Sequence, residues 1–538
     1  MSALRPLARP PKLSVALLAR DAEELLPATL ASVRCIADEI LLVDTGSRDA
    51  TRALAATAGA KVLSLLWNDD FSVPRNLAMA QATGDWILWL DAGETLASDA
   101  AQALQLFVRE QADANRAYML MVEVPPDGKL ISSEQSGRIR LVPNFQGLEF
   151  QGRIRESLLP SLAARQRQVD LLPWKILRSS YEHDPLVKSR KARRDLRLAE
   201  LEIAEHRATP RLYNLLGDAY SRLGDTAASI DYFRRALQHC ERGSIDMLEA
   251  YYGLLATLDS DSRHVPEQVS VCLAALEVYP CDAQLLCAMG SYLQLQGRAD
   301  LAVRAYQMAA EHGQVEPQTW HLSDIGEVAI VCWCLCLQLL EQDAQARQVL
   351  ESALATDGSA VRLRRQLLEL FIKHDLRKEA LEQVALLPPE TPHREALRTA
   401  VRGACLAAKQ NWAAALGYLQ AAYGGGCRDP LCLRWLTATF AALGEFWSIE
   451  AVLHEWREQE PKNPEVAKYF EIVARRRNLE TPPAATPAPE IAMTEAAEMR
   501  GPGERNLRLD PSRAGEPPAP KSPPLAKPAH ARNPFSRS

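Results

Sequence analysis

Carboxylate side chains follow three short apolar runs near the start of the chain. Asp21 follows LSVALL, Asp44 ends EILLVD and Asp91 ends DWILWLD. Near-continuous apolar runs of this length are typical of parallel strands buried on both faces. Ligands of such sheets bind beyond the carboxyl ends of the strands, where a carboxylate can accept hydrogen bonds from N–H or hydroxyl groups. We therefore expect these loops to form a ligand site at one edge of a sheet.

Helical patterns alternate with the apolar runs over residues 12–200. This alternation implies right-handed crossovers, so we predict an α/β domain with a mostly parallel sheet. The expected helices are roughly Glu23–Ile36, Asp49–Ala58 and Pro74–Ala82, KVLSLL at 61–66 is another strand, and Tyr118–Val124 and Arg138–Val142 are mixed or antiparallel strands.

Residues 209–470 are helical throughout and contain repeats. Two segments match the tetratricopeptide pattern, one with Gly217 and Phe233 and one with Gly290 and Tyr306 at the small and aromatic positions. The small residues let two helices cross closely, and the aromatic rings fill the gap. Weaker copies continue at the same period, so we predict about seven helix pairs stacked into an all-α superhelix with a concave surface.

The composition of the chain argues against some classes of function and predicts a disordered tail. Residues 478–538 hold 13 of the 34 prolines, which predicts a disordered tail. The net charge of −6 argues against a nucleic-acid binder, and there is no apolar run of about 18 residues that could span a membrane. The eleven cysteines include no CxxC pair, which fits reduced thiols in a cytoplasmic protein.

Four sequence segments point to one family in combination. They are SVALLARDAEELLPATLASV, DEILLVDTGSRDAT, DDFSVPRNLAMAQATGDWILWLDAGE and SYEHDPLVKSRKARRDLRL. The chain thereby resembles the family 2 glycosyltransferases, and more narrowly the bacterial subgroup in which tetratricopeptide repeats follow a short catalytic domain. The resemblance implies a GT-A fold, a nucleotide-sugar donor, a divalent metal (Mn²⁺ or Mg²⁺) and inversion at the anomeric carbon.

The metal motif of the resembled family is Asp-x-Asp, and this chain has Asp91-Ala92-Gly93-Glu94 instead. A carboxylate-bound metal would bridge the donor phosphates and stabilise charge on the leaving group. The resemblance implies that Asp91 contacts this metal and the nucleotide sugar. Gly93 stands at the second Asp position, with Glu94 as a substitute ligand, and His183 of YEHDP is either a further metal ligand or a structural histidine.

Four other residues are candidates for contact with the nucleotide sugar. By resemblance, Asp44 contacts the base or ribose, Asp21 contacts the nucleotide, and Arg75 with Asn76 shapes the donor pocket. Each has a structural alternative: the two aspartates would cap helices, and Arg75 with Asn76 would hold the loop before Asp91.

Inverting transfer also needs a general base. The subgroup carries Gly-x-Ile-His-Glu, and this chain has Gly152-Arg153-Ile154-Arg155-Glu156, so Glu156 is the catalytic candidate. Its structural alternative is a surface carboxylate paired with Arg153 or Arg155. The basic run KSRKARRDLR either binds an anion or forms the solvated face of a linking helix.

Two hypotheses of different class follow. The first is a cytoplasmic glycosyltransferase whose repeats bind a protein, a peptide or a glycan precursor as acceptor. The second is a catalytically degenerate domain that serves as a repeat-based scaffold or a nucleotide-sugar sensor. Asp44, Asp91 and Arg75 favour the enzyme, whereas Gly93 and Arg155 favour the scaffold. In a third reading the repeats carry the function and the proline-rich tail binds other proteins.

Overall fold

The computed structural model describes residues 9–126, 132–145, 147–179, 184–205, 208–259, 264–389, 391–460 and 463–480. In these residues a mixed sheet with packed helices is followed by a long array of helices, as the sequence predicts. The elements in chain order are β1 Leu13–Ala19, α1 Leu26–Val33, β2 Glu39–Asp44, α2 Thr51–Thr57, β3 Lys61–Ser64, α3 Ser72–Gln81, β4 Trp86–Asp91, β5 Glu94–Leu96, α4 Ser98–Glu110, β6 Arg116–Val124, β7 Glu134–Pro143, α5 Leu159–Ala163, β8 Gln168–Arg178, α6 Pro185–Glu205, α7 Pro210–Leu223, α8 Thr226–His239, α9 Ile245–Leu258, α10 Val265–Leu276, α11 Ala283–Leu295, α12 Ala299–His312, β9 His321–Leu322, α13 Ile325–Leu339, α14 Asp343–Thr356, α15 Val361–Lys373, α16 Arg377–Ala385, α17 Arg394–Ala408, α18 Trp412–Gly424, α19 Pro430–Leu443, α20 Phe446–Gln459 and α21 Pro464–Glu480.

The described strands form one sheet in the order β3-β2-β1-β4-β7-β6-β8-β5, and β9 pairs with β7. Strand β1 is parallel to both β2 and β4, so the carboxyl ends of these three strands lie at the same edge. Strand β7 is antiparallel to β4 and to β6. This confirms the predicted parallel half and the predicted antiparallel strands.

The central strands are buried on both faces of the sheet. Val15 and Leu17 of β1 enter one apolar core with side chains of α1 and α4. Ala16 lies on the opposite face, in a second core with Ile87 and Trp89 of β4. Since neighbouring residues of one strand are buried in different cores, the strand has a nearly continuous apolar sequence.

Helices α7–α20 pack as seven successive pairs in the described part of the chain, and α21 packs against α20. A methyl group on Gly217 would lie 2.9 Å from the Phe233 ring, and one on Gly290 would lie 2.7 Å from the Tyr306 ring. The glycines therefore make room for the rings of the paired helices, as the repeat pattern predicts. Helix α21 includes the first three residues of the expected tail, and residues 481–538 lie outside the described residues.

The segment between α12 and α13 returns to the sheet and bonds to β7. In β9, His321 and Leu322 pair with Gln135 and Glu134 of β7. Just before β9, the backbone N–H of Gly137 donates to the Pro317 carbonyl at 2.6 Å. The sequence analysis did not find β9, because a strand of two residues has no hydrophobic period.

The apolar side chains of the repeat helices pack against one another in a buried core. All eleven cysteines are free thiols, and Cys334 and Cys336 are buried in the core of the later repeats. Among the residues that the structure describes, no helix combines the length and the hydropathy needed to cross a membrane.

Candidate functional site

A cleft of about 1680 Å³ lies between the carboxyl edge of the sheet and the first repeat helices. Four of the predicted site residues line it, namely Asp21, Arg75, Asp91 and Glu156. The opposite wall includes side chains of α7, of α9 and of the segment around β9. The edge predicted to bind a ligand therefore faces the repeats rather than open solvent.

The carboxylate of Asp91 contacts three arginines. Its Oδ1 lies 3.1 Å from Arg75 Nη2, and its Oδ2 lies 3.3 Å from Arg140 Nη2 and 3.5 Å from Arg178 Nη2. Burial opposes ionisation, but the charges of these arginines outweigh burial and hold the pKa of Asp91 far below its usual value. Asp91 is therefore ionised at neutral pH, with both oxygens next to cations.

Glu94 is enclosed behind Asp91, and only 1% of its side chain is exposed. Its Oε1 accepts hydrogen bonds from Arg140 Nη2 and Arg178 Nη2 at 2.6 Å each. Its Oε2 accepts from the backbone N–H of Asp91 at 2.8 Å. Glu94 thus braces the turn through Gly93, whose φ is +94°.

The described residues do not fit the divalent cation that the resemblance implies. Asp91 and Glu94 are paired with guanidinium groups, and a cation beside them would be repelled by those groups. Within the described residues, no three histidine, cysteine, aspartate or glutamate side chains are grouped to hold a metal. His183 lies outside the described residues, and its role stays a prediction.

Arg75 joins Glu156 to Asp91. The Arg75 Nε donates to Glu156 Oε1 at 2.6 Å, and the guanidinium packs against the rings of Trp89 and Phe150, 5.3 and 5.4 Å from their centroids. Burial alone would lower the pKa of Arg75, but Glu156 and Asp91 raise it. Glu156 is therefore not the surface partner of Arg153 or Arg155 that the structural alternative supposed.

Asn76 holds the loop that carries Glu156. Its Nδ2 donates to the Phe150 carbonyl at 3.0 Å, and its Oδ1 accepts from the Phe150 N–H at 2.7 Å. The amide thus pairs with both backbone groups of one residue. The role of Asn76 in this structure is structural, and it acts on the loop of Glu156 rather than on the loop of Asp91.

The loops after β1 and β2 are bonded to each other. The carboxylate of Asp44 is buried and accepts from the backbone N–H groups of Gly46 and Ser47 at 3.2 Å. Asp21 accepts from the Arg48 N–H at 2.8 Å and donates its own N–H to Ser47 Oγ at 2.9 Å. Asp44 therefore forms the turn, whereas the half-exposed Asp21 faces the cleft.

Two arginines near Glu156 contact the helical part of the chain. Arg155 Nη1 lies 2.7 Å from Glu249 of α9. The backbone N–H of Arg153 donates to Glu202 of α6 at 3.1 Å, and its guanidinium pairs with Glu205. The segment that carries the candidate base is thus held from both sides by contacts with α6 and α9.

The arginines of β7 and β8 are not among the site residues predicted from the sequence. Arg138 and Arg140 alternate with apolar residues in GRIRLV, a period that would place both on one face of a regular strand, although the pairing of β7 with β6 shifts register between Ile139 and Leu141. That signal was available in the sequence. Arg178 ends β8, which the sequence analysis did not predict.

Comparison with known proteins agrees with this architecture. Residues 14–122 match the family model described as glycosyl transferase family 2, and residues 210–238 match a tetratricopeptide repeat model. The N-terminal part of the chain thus contains a family 2 glycosyltransferase domain, and the later part contains tetratricopeptide repeats. This confirms the resemblance found in the sequence.

Curated relatives cover parts of the chain. A TPR repeat-containing protein of Synechococcus elongatus is 37% identical over 235 residues, which are 42% of this chain and 57% of that protein. An uncharacterized glycosyltransferase of Rickettsia typhi is 29% identical over 110 residues, which are 20% of this chain and 37% of that protein. The chain therefore spans little more than half of one relative and about a third of the other.

Solved structures resemble the two parts separately. A tetratricopeptide repeat protein from Parabacteroides merdae is 13% identical, with a TM-score of 0.37 over 49% of this chain and 98% of that protein. Glucosyl-3-phosphoglycerate synthase from Mycobacterium tuberculosis, solved with Mn²⁺, UDP and phosphoglyceric acid, is 19% identical, with a TM-score of 0.18 over 21% of this chain and 43% of that protein.

Proposed function

We propose that the chain is a glycosyltransferase that moves a sugar from a nucleotide-sugar donor to an acceptor, with inversion at the anomeric carbon. The observation that carries this proposal is the convergence of Arg75, Asp91 and Glu156 in a cleft at the carboxyl edge of the sheet. The acceptor is a protein, a peptide or a glycan precursor held against the repeats.

The proposed reaction assigns roles to Glu156 and Arg75. Glu156 takes the proton of the acceptor O–H as the acceptor oxygen attacks the anomeric carbon. The bond from that carbon to the phosphate oxygen breaks, and the nucleoside diphosphate leaves with the electron pair. Arg75 holds Glu156 and Asp91 in place, since it contacts both carboxylates.

The wall formed by the repeats supports acceptor binding. With the segment before β9, it contributes the aromatic Tyr252 and Trp320 and the polar Asn214 and Glu249 to the lining of the cleft. Aromatic rings next to amide and carboxylate groups suit both peptide segments and sugar rings. We therefore place the acceptor between this wall and Glu156.

Thermal unfolding with UDP-, GDP- and dTDP-sugars, each with and without Mn²⁺, tests donor binding. A donor at a hundredfold excess over its Kd should stabilise the fold by about 2.7 kcal/mol. The donor that binds is then used to measure release of its nucleoside diphosphate. The absence of a shift with every donor would contradict the proposal.

A variant of the base tests the chemistry. Glu156→Gln should lower turnover by about a hundredfold or more, while donor affinity stays within about threefold. Arg298→Gln is the matched control, because this exposed arginine pairs with Asp300 on the repeats, away from the cleft. Wild-type turnover in Glu156→Gln would remove Glu156 from the mechanism.

A second candidate function is a scaffold or nucleotide-sugar sensor. It is favoured by the pairing of Asp91 and Glu94 with arginines and by Gly93 at the second position of the metal motif. A donor that binds tightly, but whose sugar is neither hydrolysed nor transferred in wild type, would support this function over the enzyme.

A further inference from the structure

Arg138 is a cation in the cleft whose charge is poorly compensated. Within the described residues no carboxylate lies within 4.0 Å of it, although Arg140, two residues further along β7, contacts two. Its contacts are the Gln318 carbonyl at 3.5 Å and the Trp320 ring, whose centroid is 5.7 Å away. Such a side chain can still form strong hydrogen bonds with an anion.

The surroundings of Arg138 are cationic. Burial lowers the pKa of Arg138 to about 10, and the charges of Arg155, Arg178 and Arg140 act in the same direction against the attraction of Glu249. An anion bound there would relieve this repulsion. The guanidinium nevertheless stays protonated at neutral pH, so it is available as a donor.

The cleft as a whole carries an excess of positive charge. Thirteen of its described lining residues are lysine or arginine and nine are aspartate or glutamate, although the whole chain has a net charge of −6. Part of the excess comes from α6, where the basic run KSRKARRDLR contributes Lys188, Arg190 and Lys191 to the lining. A cleft lined in this way attracts anionic ligands.

We propose that Arg138, with Arg140 and Arg178 beside it, binds the diphosphate of the nucleotide donor in place of a divalent cation. This inference rests on the proposed glycosyltransferase function. Guanidinium groups can bind phosphate oxygens in a bidentate manner and neutralise the charge of a leaving diphosphate. The carboxylates expected to hold a metal are instead paired with Arg75, Arg140 and Arg178.

Calorimetric titration of the full chain with pyrophosphate, UDP, GDP, dTDP and inorganic phosphate tests the site, each in EDTA and in Mn²⁺. At least one nucleoside diphosphate should bind in EDTA with a Kd within about threefold of its value in Mn²⁺. Arg138→Gln should weaken this binding and that of pyrophosphate by about tenfold or more. Arg138→Lys should retain part of the affinity, and Arg298→Gln should bind as wild type.

Each outcome decides one question. Binding that requires Mn²⁺, or wild-type affinity in Arg138→Gln, overturns the arginine site and leaves the donor function intact. Arg138-dependent binding of pyrophosphate without binding of any nucleoside diphosphate supports the anion site and overturns the donor function. Inorganic phosphate that binds through Arg138 while a nucleoside diphosphate is already bound overturns the donor assignment and gives the site to an anionic acceptor. No binding of any probe overturns both proposals.

Discussion

Arg75 is the side chain that joins the two carboxylates of the cleft. It is buried against the rings of Trp89 and Phe150, and it contacts Asp91 and Glu156 from one guanidinium group. The sequence motif identified Arg75 as a candidate. Its partners lie 16 and 81 residues away along the chain, and no local pattern records such distant contacts.

Loss of Arg75 should therefore be costly. Arg75→Gln leaves the nearly buried Glu156 without its cation, and we expect a loss of about 3–5 kcal/mol in the free energy of unfolding. Arg75→Gln combined with Glu156→Gln should recover stability but not turnover. Denaturant unfolding measures the change, and Arg52→Gln is the control, because Arg52 is mostly exposed and lies 3.9 Å from Asp44. A loss below about 1 kcal/mol in Arg75→Gln would show that the pair is an ordinary surface contact.

Individual elements differ in how far the sequence predicts them. Strands β1, β2 and β4 have continuous apolar runs because both faces are buried. Strand β8 contains Pro173 and mixes exposed with buried positions, and its pairing with β6 shifts register. It therefore lacks both the alternating and the continuous pattern. Strand β9 exists only because the folded repeats bring two residues to β7.

The close helix crossing at Gly290 should make the stability of the repeats sensitive to an added methyl group. Gly290→Ala would place its methyl group 2.7 Å from the Tyr306 ring, and we expect a loss of about 1–3 kcal/mol in unfolding free energy. Gly417→Ala in α18 is the matched control, since nothing lies within 4 Å of its new methyl group. The control should be neutral or stabilised by up to about 1 kcal/mol. Equal effects of the two variants in thermal unfolding would refute the packing argument.

The start of α11 makes the stability of the repeats depend on pH. Asp282 caps this helix by accepting from the Leu285 N–H at 2.8 Å, and it accepts from Tyr252 Oη at 2.6 Å. Burial raises the pKa of Asp282 to about 6, against the lowering effect of these hydrogen bonds. The folded chain therefore binds this proton more tightly than the unfolded chain. The resulting contribution to stability is complete below about pH 4 and is lost as pH rises through about 6.

Asp282→Asn should remove that pH dependence. The amide oxygen can still accept from the Leu285 N–H and cap α11, and the amide N–H can donate to Tyr252 Oη, so the variant should lack the loss of about 3 kcal/mol in unfolding free energy between pH 4 and 6. Urea unfolding at a series of pH values measures the slope. Asp300→Asn is the control, because the pKa of this exposed carboxylate is lowered rather than raised. A slope unchanged in Asp282→Asn would contradict the assignment.

On the scale of the whole molecule, the repeats are attached to the sheet at several separate places. Ile154 packs into an apolar cluster with Leu198 of α6 and Leu215 of α7. Arg155 pairs with Glu249 of α9, and β9 extends the sheet at β7. The sequence predicted both architectures but not their contact, because a resemblance that gives the order of the two parts along the chain does not give the residues through which they meet.

A double-mutant cycle measures one of these attachments. Arg155→Ala and Glu249→Ala should be coupled by about 0.5–3 kcal/mol in unfolding free energy. The exposed pair Arg347 and Glu351, which lies within one helix, should be coupled by only about 0.3–0.5 kcal/mol. Coupling near zero between Arg155 and Glu249 would mean that the ion pair does not hold the two parts together.

The pairing of β9 with β7 has a consequence for how this architecture can change in evolution. The stretch α7–α12 is anchored to the sheet at both of its ends, as an inserted loop would be. Its length is therefore fixed by the span between the anchors, and duplication of α9–α10 should pull β9 away from β7. Helix α15 still contacts the segment just before β7, through Arg362 and Ser132. Among the described residues, the helices after α15 pack mainly on one another, so this part of the array is held chiefly at one end. Gain or loss of a whole repeat after α15 would leave the residues of the cleft in place. Lineages of this architecture should therefore vary in length after α15 and not before β9.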